Sequence, residues 1–172
     1  AYDELPRTGI PELLKTQEEF DSYIDALVQA GVIPDASYIW WSVRPSLKHP
    51  TLELRAPDVC TRVEDAVAIA ALYRAVARRL TRNPSQNRDM NAITRAIVVE
   101  NKWRAQRYGV RGSFARIEGT GSISVAEMLE DVLAEVAPDA EALGCLDSIL
   151  HCRRIIEEGT SADRQIAIYD RH

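Results

Sequence analysis

The chain has 172 residues, of which 27% are charged and 46% are hydrophobic, with a formal net charge of -5 at pH 7. This length suits a single domain with a sizeable core, and arginines interleaved with acids argue against nucleic acid or a membrane surface as partners. The longest apolar run, AVAIAALY, is too short to span a bilayer. The three cysteines lack paired spacing, which indicates a reducing, cytoplasmic compartment, and we expect Cys145 and Cys152 to be buried structural thiols.

The first third of the chain predicts one helix and one hairpin. Thr16 and Glu19 form a capping-box pattern, and Gly31 suits the end of the helix TQEEFDSYIDALVQAG. SYIWWSVRPS and TLELRAP are rich in β-branched and aromatic residues and predict strands, with PSLKHP as the turn. Strands joined by so short a connection should pair antiparallel.

The middle of the chain predicts two long helices separated by the loop RNPSQNR. Thr61 and Glu64 suggest a capping box for the first, whose predicted apolar positions are Val63, Ala66, Val67, Ala70, Tyr73, Ala77 and Leu80. The second helix should run from about Asp89 to Tyr108, where Gly109 stops it.

The last third begins with GSFARIEGTGS, which is glycine-rich with a short strand-like centre. Ser124 and Glu127 should cap the next helix, and Pro138 should end it. A further helix is predicted from about Asp139 to Glu158, and a last one capped by Thr160 and Asp163.

The predicted hairpin has two unlike faces, because side chains alternate along a strand. One face carries Arg44, Glu53 and Arg55, and the other, with Leu52 and Leu54, should pack on helices. The charged residues could be ordinary cross-strand ion pairs on a solvated face. Alternatively they form a ligand site, in which arginine binds phosphate and glutamate holds a divalent cation.

A second polar group lies near the end of the long helix. A stripe at 100° per residue joins Met90, Ile93, Ile97, Asn101, Arg104 and Tyr108, and Arg107 flanks it. Buried polar groups need partners, so these residues either meet a partner acid or line a polar cavity. Arg7, in the loop LPRTGIP, is a candidate for binding a substrate carboxylate or an ordinary surface arginine.

Taken in order, IWWSVRPS, HPTLELRAPDVCTRVEDAVAIAALYRA, ENKWRAQRYG and GTSADRQ resemble the C-terminal half of carboxylate–amine ligases related to type 2 glutamate–cysteine ligase. The resemblance implies that residues 1–172 are half of a glutamine-synthetase-like domain. Its α+β fold would be mostly helical, with the hairpin joining a funnel-like antiparallel sheet. The implied reaction uses ATP and Mg²⁺ or Mn²⁺ to phosphorylate a carboxylate, and an amine then attacks the acyl phosphate.

The resemblance also implies roles for single residues. Glu53 matches a metal ligand, and Arg55 matches the catalytic arginine that contacts the transferring phosphate. Arg44 faces the funnel, and three residues of the NxWRAxRYG motif are further candidates for binding ATP phosphates: Asn101, Arg104 and Arg107.

Two departures from the family pattern matter. Ala56, Pro57 and Asp58 stand where the family commonly has Ile-Cys-Asp, so we expect the strand to end early. The acidic and histidine-containing strands of the family's N-terminal half are absent from these 172 residues, which begin with Ala1 rather than Met. We therefore expect a fragment or split subunit, in a homo- or hetero-oligomer, that is completed by an N-terminal half. The alternative is a non-catalytic helical interaction or regulatory subunit that retains the scaffold.

Overall fold

The computed structural model describes residues 5–87 and 90–171 and divides the chain into two compact units. Unit 1 comprises residues 1–58 and 90–99, and unit 2 comprises residues 59–89 and 100–172. The helices in the described ranges are α1 (Gln17–Gln29), α2 (Val63–Arg82), α3 (Ala92–Tyr108), α4 (Val125–Ala142), α5 (Leu146–Leu150), α6 (Cys152–Glu158) and α7 (Ser161–Tyr169). The strands there are β1 (Thr8–Gly9), β2 (Trp40–Trp41), β3 (Val43–Pro45), β4 (Leu52–Leu54), β5 (Ser113–Ala115) and β6 (Ser122–Ser124).

These elements confirm a mostly helical α+β chain with small sheets. β3 pairs with β4 and β5 pairs with β6, both antiparallel, whereas β1 pairs with β2 in parallel. The larger funnel-like sheet, and the assignment of residues 1–172 to half of a ligase domain, stay predictions.

The core of unit 1 forms where α1 packs on the strand segment that precedes β3. Ile33, Ile39 and Trp41 are buried there. Tyr23 stacks on the Trp41 ring with a centroid distance of 5.8 Å, and Phe20 meets the ring edge-on at 6.1 Å. Aromatic pairs in these geometries contribute beyond the area that they bury, so Trp41 fixes α1 against the strands.

The predicted start and end of α1 are largely confirmed. The Thr16 hydroxyl accepts a hydrogen bond from the Glu19 amide, as an N-cap should. The Glu19 carboxylate accepts from the Lys15 amide rather than closing the box on Thr16. After the last turn Gly31 takes a positive φ of 67°, which a side chain would disfavour.

The predicted antiparallel hairpin of unit 1 is confirmed, with Arg44 opposite Glu53. The Arg55 amide donates to the Ser42 carbonyl at 2.7 Å and extends the pairing by one residue. The expectation that the Leu52 face packs on helices is wrong for Leu52 itself, whose side chain is 56% exposed. The hairpin is short, and α1 covers the neighbouring Trp41 instead.

The core of unit 2 lies where α2 packs against α4 and α5. Its buried residues are Ala71, Ala75, Leu133, Val136, Ala140, Cys145 and Ile149. The alanines of α2 allow close approach of the helix that carries Leu133 and Val136, since interaxial distance depends on the side chains at the contact. Cys145 and Cys152 are buried as predicted. Burial is the main cause that raises the pKa of the Cys152 thiol, and the nearby Asp65 carboxylate is the second.

The predicted start of α2 is wrong. Arg62 occupies the N-cap position without a side-chain cap, because the Thr61 hydroxyl instead lies 2.9 Å from the Ser161 hydroxyl. The predicted apolar face of α2 is wrong along its length: none of its residues is buried, and Val63 is 76% exposed. The buried face instead carries Ala68, Ala71 and Ala75, because an alanine-rich helix is apolar on more than one side.

Pro138 does not end α4, which corrects the predicted boundary. The helix continues to Ala142, although proline cannot donate to the carbonyl one turn earlier. Val136 and Ala140, on either side of the proline, are both buried, so breaking the helix there would remove them from the core. The chain turns instead at Gly144, with φ of 65°, and the predicted helix from Asp139 to Glu158 is divided among α4, α5 and α6.

The predicted end of α3 at Tyr108 and Gly109 is confirmed, and the helix is described from Ala92. Its predicted start near Asp89 lies outside the described residues, and so does Arg88, the last residue of the predicted loop. In the described part of that loop, Pro84–Asn87 forms a short 3-10 helix. The inward stripe is wrong at Ile93, which is 73% exposed. Helix α3 has no buried residue, so it does not form a core helix of the described chain.

The short hairpin β5–β6 occupies the predicted glycine-rich segment. Gly119 and Gly121 both adopt positive φ in its turn. The predicted capping boxes on Ser124 and on Thr160 are both confirmed. In the ranges 5–87 and 90–171, no helix combines the length and hydropathy that crossing a membrane would need.

Candidate functional site

The charged face of the β3–β4 hairpin places one carboxylate between two guanidinium groups. The Arg44 Nε donates to one oxygen of Glu53 at 2.9 Å, and the Arg55 Nη1 donates to the other at 2.6 Å. A hydrogen bond from Arg44, and to a lesser extent one from Arg55, holds the pKa of Glu53 below its ordinary value. Glu53 is therefore ionised at neutral pH, and its side chain is 41% exposed.

The two arginines of this cluster differ in their freedom to meet a ligand. The Arg44 side chain is 16% exposed, and its Nη1 also donates to the carbonyls of Ser37 and Ile39 at 2.7 and 2.6 Å. The Arg55 side chain is 36% exposed, and its observed bond uses one of the five guanidinium N–H donors. Arg55 is thus better placed to contact a ligand, whereas Arg44 positions Glu53.

Glu53 alone does not make a metal site. An ionised carboxylate has about four lone-pair positions, and the two arginines occupy one on each oxygen. The exposed carboxylate of Glu53 therefore keeps free lone pairs with which it could bind one cation. Among the residues that the structure describes, no group of three or more His, Cys, Asp or Glu side chains could hold a metal ion. A complete metal site would need ligands beyond these residues.

Arg7 and Arg44 both donate hydrogen bonds to the backbone of residues 37–39. Its Nε donates to the Tyr38 carbonyl at 3.4 Å, between the two carbonyls that Arg44 contacts. The Arg7 guanidinium also lies 5.6 Å from the centre of the Trp40 ring, a cation–π distance. Arg7 has a positive φ of 65°, an uncommon conformation for a residue with a side chain. Its role in binding a substrate stays a prediction.

Asn101 and Arg104 contact the backbone of β5. The Asn101 side chain donates to the Ala115 carbonyl and accepts from the Ala115 amide, both at 2.8 Å. The Arg104 Nε donates to the Ser113 carbonyl at 2.6 Å, and Nη2 donates to its hydroxyl at 2.9 Å.

The register of the hairpin explains these contacts. Gly112 and Arg116 bond across to the β6 side, so the alternating residues Ser113 and Ala115 direct their backbone groups to the open edge. Asn101 and Arg104 satisfy this edge as a further strand would. The expected partner acid is therefore replaced by β5: Asn101 and Arg104 hydrogen-bond to its groups, whereas Glu100 lies 3.9 Å from Arg104. A role in phosphate binding stays a prediction.

Arg107 and Arg111 complete a basic region that sequence reasoning recognised only in part. The Arg107 guanidinium lies 5.9 Å from the centre of the Tyr108 ring. Arg111, which the sequence analysis missed, lines a cavity together with Arg104. The available signal was its position seven residues after Arg104, just beyond the glycine that ends the helix.

The sequence-predicted residues therefore fall into two groups. Arg44, Glu53 and Arg55 touch one another in unit 1, and Arg7 joins them through residues 37–39. Asn101, Arg104 and Arg107 belong to unit 2, where the first two contact β5.

The sequence motifs that hold these two groups of residues resemble those of carboxylate–amine ligases. All 172 residues match the family model described as glutamate-cysteine ligase family 2. The chain belongs to glutamate–cysteine ligase family 2.

Curated relatives carry the same family name. The chain is 55% identical to a protein of Bradyrhizobium sp. (strain ORS 278) over 169 aligned residues. This alignment covers 98% of this chain and 41% of the relative. The chain is 53% identical to one from Bradyrhizobium diazoefficiens, covering 98% and 39%, and 40% identical to one from Rhodospirillum rubrum, covering 98% and 43%. Each is named "Putative glutamate--cysteine ligase 2". The chain thus spans about two fifths of the length of these relatives.

Proposed function

We propose that this chain supplies part of the active site of an ATP-dependent carboxylate–amine ligase. The observation that carries the proposal is the Arg44–Glu53–Arg55 cluster, in which an exposed, ionised carboxylate lies beside a half-exposed guanidinium. Relatives named as glutamate–cysteine ligases support glutamate and cysteine as the first substrates to test.

In this proposal Arg55 contacts the phosphate that moves from ATP to the substrate carboxylate. A guanidinium binds phosphate through paired N–H donors and stabilises charge that develops during transfer. Arg44 keeps Glu53 in place through bonds that also tie it to residues 37–39. The amine substrate then attacks the acyl phosphate and releases phosphate.

Glu53 would hold one divalent cation, Mg²⁺ or Mn²⁺, with the remaining ligands supplied by ATP and by residues outside this chain. Mg²⁺ in such sites is bound by one or two carboxylates plus phosphate oxygens. When bound, the cation would neutralise phosphate charge. Glu53 itself needs only to remain ionised, and its lowered pKa ensures this at neutral pH.

We further propose that an N-terminal half of the same enzyme completes this chain. The chain covers 39–41% of its nearer Bradyrhizobium relatives. Large apolar side chains are exposed in both units, including Leu52 at 56% and Val63 at 76%, and in this proposal the other half covers some of them. A cytoplasmic location is part of the proposal and is supported by the free, buried thiols of Cys145 and Cys152.

The test is ADP formation by the complete enzyme that contains this chain, with glutamate and cysteine and then with other acid–amine pairs. We expect Glu53→Gln to lower the rate by about 100-fold or more, since it removes the carboxylate that would hold the cation on the reacting phosphates. Glu130→Gln is the matched control, because Glu130 is also an exposed glutamate paired with an arginine, Arg153.

A wild-type enzyme that binds its partner half yet forms no ADP with any pair would contradict the proposal and favour a non-catalytic subunit. Near-normal ADP formation by Glu53→Gln would contradict the assignment of Glu53.

A further inference from the structure

A short 3-10 turn, Ala36–Tyr38, lies just before the strands of the hairpin in unit 1. The carbonyls of Ser37 and Ile39 both accept hydrogen bonds from the Arg44 Nη1, at 2.7 and 2.6 Å. The Nε of the same guanidinium donates to Glu53 at 2.9 Å. A guanidinium is planar and rigid, so the direction of these two carbonyls sets the direction from which Arg44 meets Glu53.

The turn is fixed at both of its ends. After it, the Ile39 side chain is 1% exposed and packs in the core of unit 1. Before it, Asp35 has an extended backbone, and its Oδ1 accepts a hydrogen bond from the Ser37 amide at 2.7 Å. A carboxylate that bonds to the backbone two residues later forms an Asx-turn, which closes the first turn of a short helix.

The bond from Asp35 matters more here than it would in a long helix. A 3-10 turn of three residues has poor hydrogen-bond geometry and little stability of its own. Without the carboxylate, the Ser37 amide would need water as its partner, and the Ser37 carbonyl would be free to turn away from Arg44. Ile39 would still anchor the far end, so the loss should be confined to the turn and to the arginine that it holds.

We propose that Asp35 is a positioning residue for the Arg44–Glu53–Arg55 cluster. Asp35 holds the Ser37 carbonyl, this carbonyl helps to fix Arg44, and Arg44 fixes Glu53. The inference rests on the proposed function, because the position of Glu53 affects turnover only if Glu53 acts in the reaction. A misplacement of about 1 Å in a reacting group can cost about 100-fold in rate, so residues that lock a functional side chain affect turnover without touching the substrate.

The test compares three variants of the complete enzyme that contains this chain. Asp35→Ala removes the bond to Ser37, and Asp35→Asn keeps an oxygen that can accept it. Thr16→Ala is the matched control, because Thr16 also caps a helix of unit 1, through the Glu19 amide at 3.2 Å. It therefore removes an N-cap of the same kind without touching the turn.

Two measurements are made on each variant. Labelling with phenylglyoxal, mapped by mass spectrometry, reports how well each arginine is held, and ADP formation reports turnover. Arg55 serves as an internal standard for labelling, since its side chain is 36% exposed whereas that of Arg44 is 16% exposed. Labelling of Arg44 does not depend on turnover, so it tests the position of this side chain directly.

In Asp35→Ala we expect Arg44 to label as fast as Arg55 and ADP formation to fall about tenfold or more. Asp35→Asn should restore both to within about twofold of wild type, because asparagine is an equally good cap. Thr16→Ala should lower the thermal stability and leave both measurements within about twofold of wild type, because distant sites act independently. Unchanged labelling of Arg44 in Asp35→Ala, no rescue by Asp35→Asn, or equal losses in Thr16→Ala would overturn the inference.

Failure of this inference and failure of the proposed function give different results. A wild-type enzyme that forms no ADP with any acid–amine pair contradicts the proposed function, and the labelling of Arg44 then decides whether Asp35 sets its position. An active wild-type enzyme in which Arg44 is equally protected with and without Asp35 contradicts the inference alone.

Discussion

Two carboxylates in this chain are each held by two arginines, yet their environments are opposite. Glu53, in unit 1, lies on a short hairpin between Arg44 and Arg55, and its side chain is 41% exposed. Asp139, in unit 2, lies on α4 between Arg78 and Arg82 of α2, and its side chain is 1% exposed. The two clusters share the same pattern of residue types, and exposure of the carboxylate decides which of the two a ligand can reach.

The comparison predicts a division of labour. The buried Asp139 cannot reach a ligand, and its arginines stabilise the packing of α2 on α4. The exposed Glu53 gains little stability from its arginines, because ion pairs in contact with water contribute about 0–1 kcal/mol, and it remains available for binding.

The largest effect should follow from removing both arginines around Asp139. Arg78→Met combined with Arg82→Met takes away both arginines that the structure shows beside this buried carboxylate, which we expect to lower the free energy of unfolding by about 3–5 kcal/mol. Denaturant unfolding of the complete protein measures this, with Arg74→Met on the exposed side of α2 as the control. Adding Asp139→Leu should recover part of the loss. If the double variant is as stable as the control, Asp139 is not a structural centre.

A smaller effect should separate Arg55 from Arg44. Arg55→Ala should reduce ADP formation by about 10²–10³-fold, the usual cost of one donor to developing charge, with unfolding free energy changed by about 1 kcal/mol or less. Arg44→Ala should instead destabilise the hairpin by about 1.5–3 kcal/mol, because the carbonyls of Ser37 and Ile39 lose a charged donor. Parallel unfolding and rate measurements distinguish the two residues, and an Arg55→Ala enzyme with normal turnover would remove Arg55 from the proposed site.

The smallest effect concerns pH. The pKa of Glu53 is lower in the folded chain than its ordinary value of 4.5. Its ion pairs therefore stabilise the fold above about pH 4.5, and this contribution is lost as pH falls through the lower, folded pKa. The stability difference between wild type and Glu53→Gln should be at most about 1 kcal/mol at neutral pH and should shrink on acidification. A difference that grows between pH 5 and pH 3 would contradict the ionised, arginine-paired state.

Much of the local structure could be predicted from the sequence. The caps on Thr16, Ser124 and Thr160 were predicted from patterns within a few residues, because the bonds involved span one helical turn. The contact among Arg44, Glu53 and Arg55 followed from strand alternation and a short turn.

The errors share a cause. Thr61 matched a capping box but contacts Ser161, which is 100 residues away in sequence. Pro138 matched a helix end but lies between buried residues that keep α4 intact. In both cases a contact distant in sequence outweighed a local preference, as tertiary context routinely does.

The sequence by itself determined where α1, α4 and α7 begin, where α1 and α3 end, which strands pair in the first hairpin, and which family the chain belongs to, because these depend on neighbouring residues or on motif order. Only the tertiary structure decided that Asn101 and Arg104 bind the open edge of β5, that Arg111 lines a cavity, and that Asp139 is buried between arginines. Those outcomes depend on which side chains lose contact with water when separate elements pack together. Removing a charged group from water is costly unless it gains a partner, and the local sequence does not show which partner packing supplies.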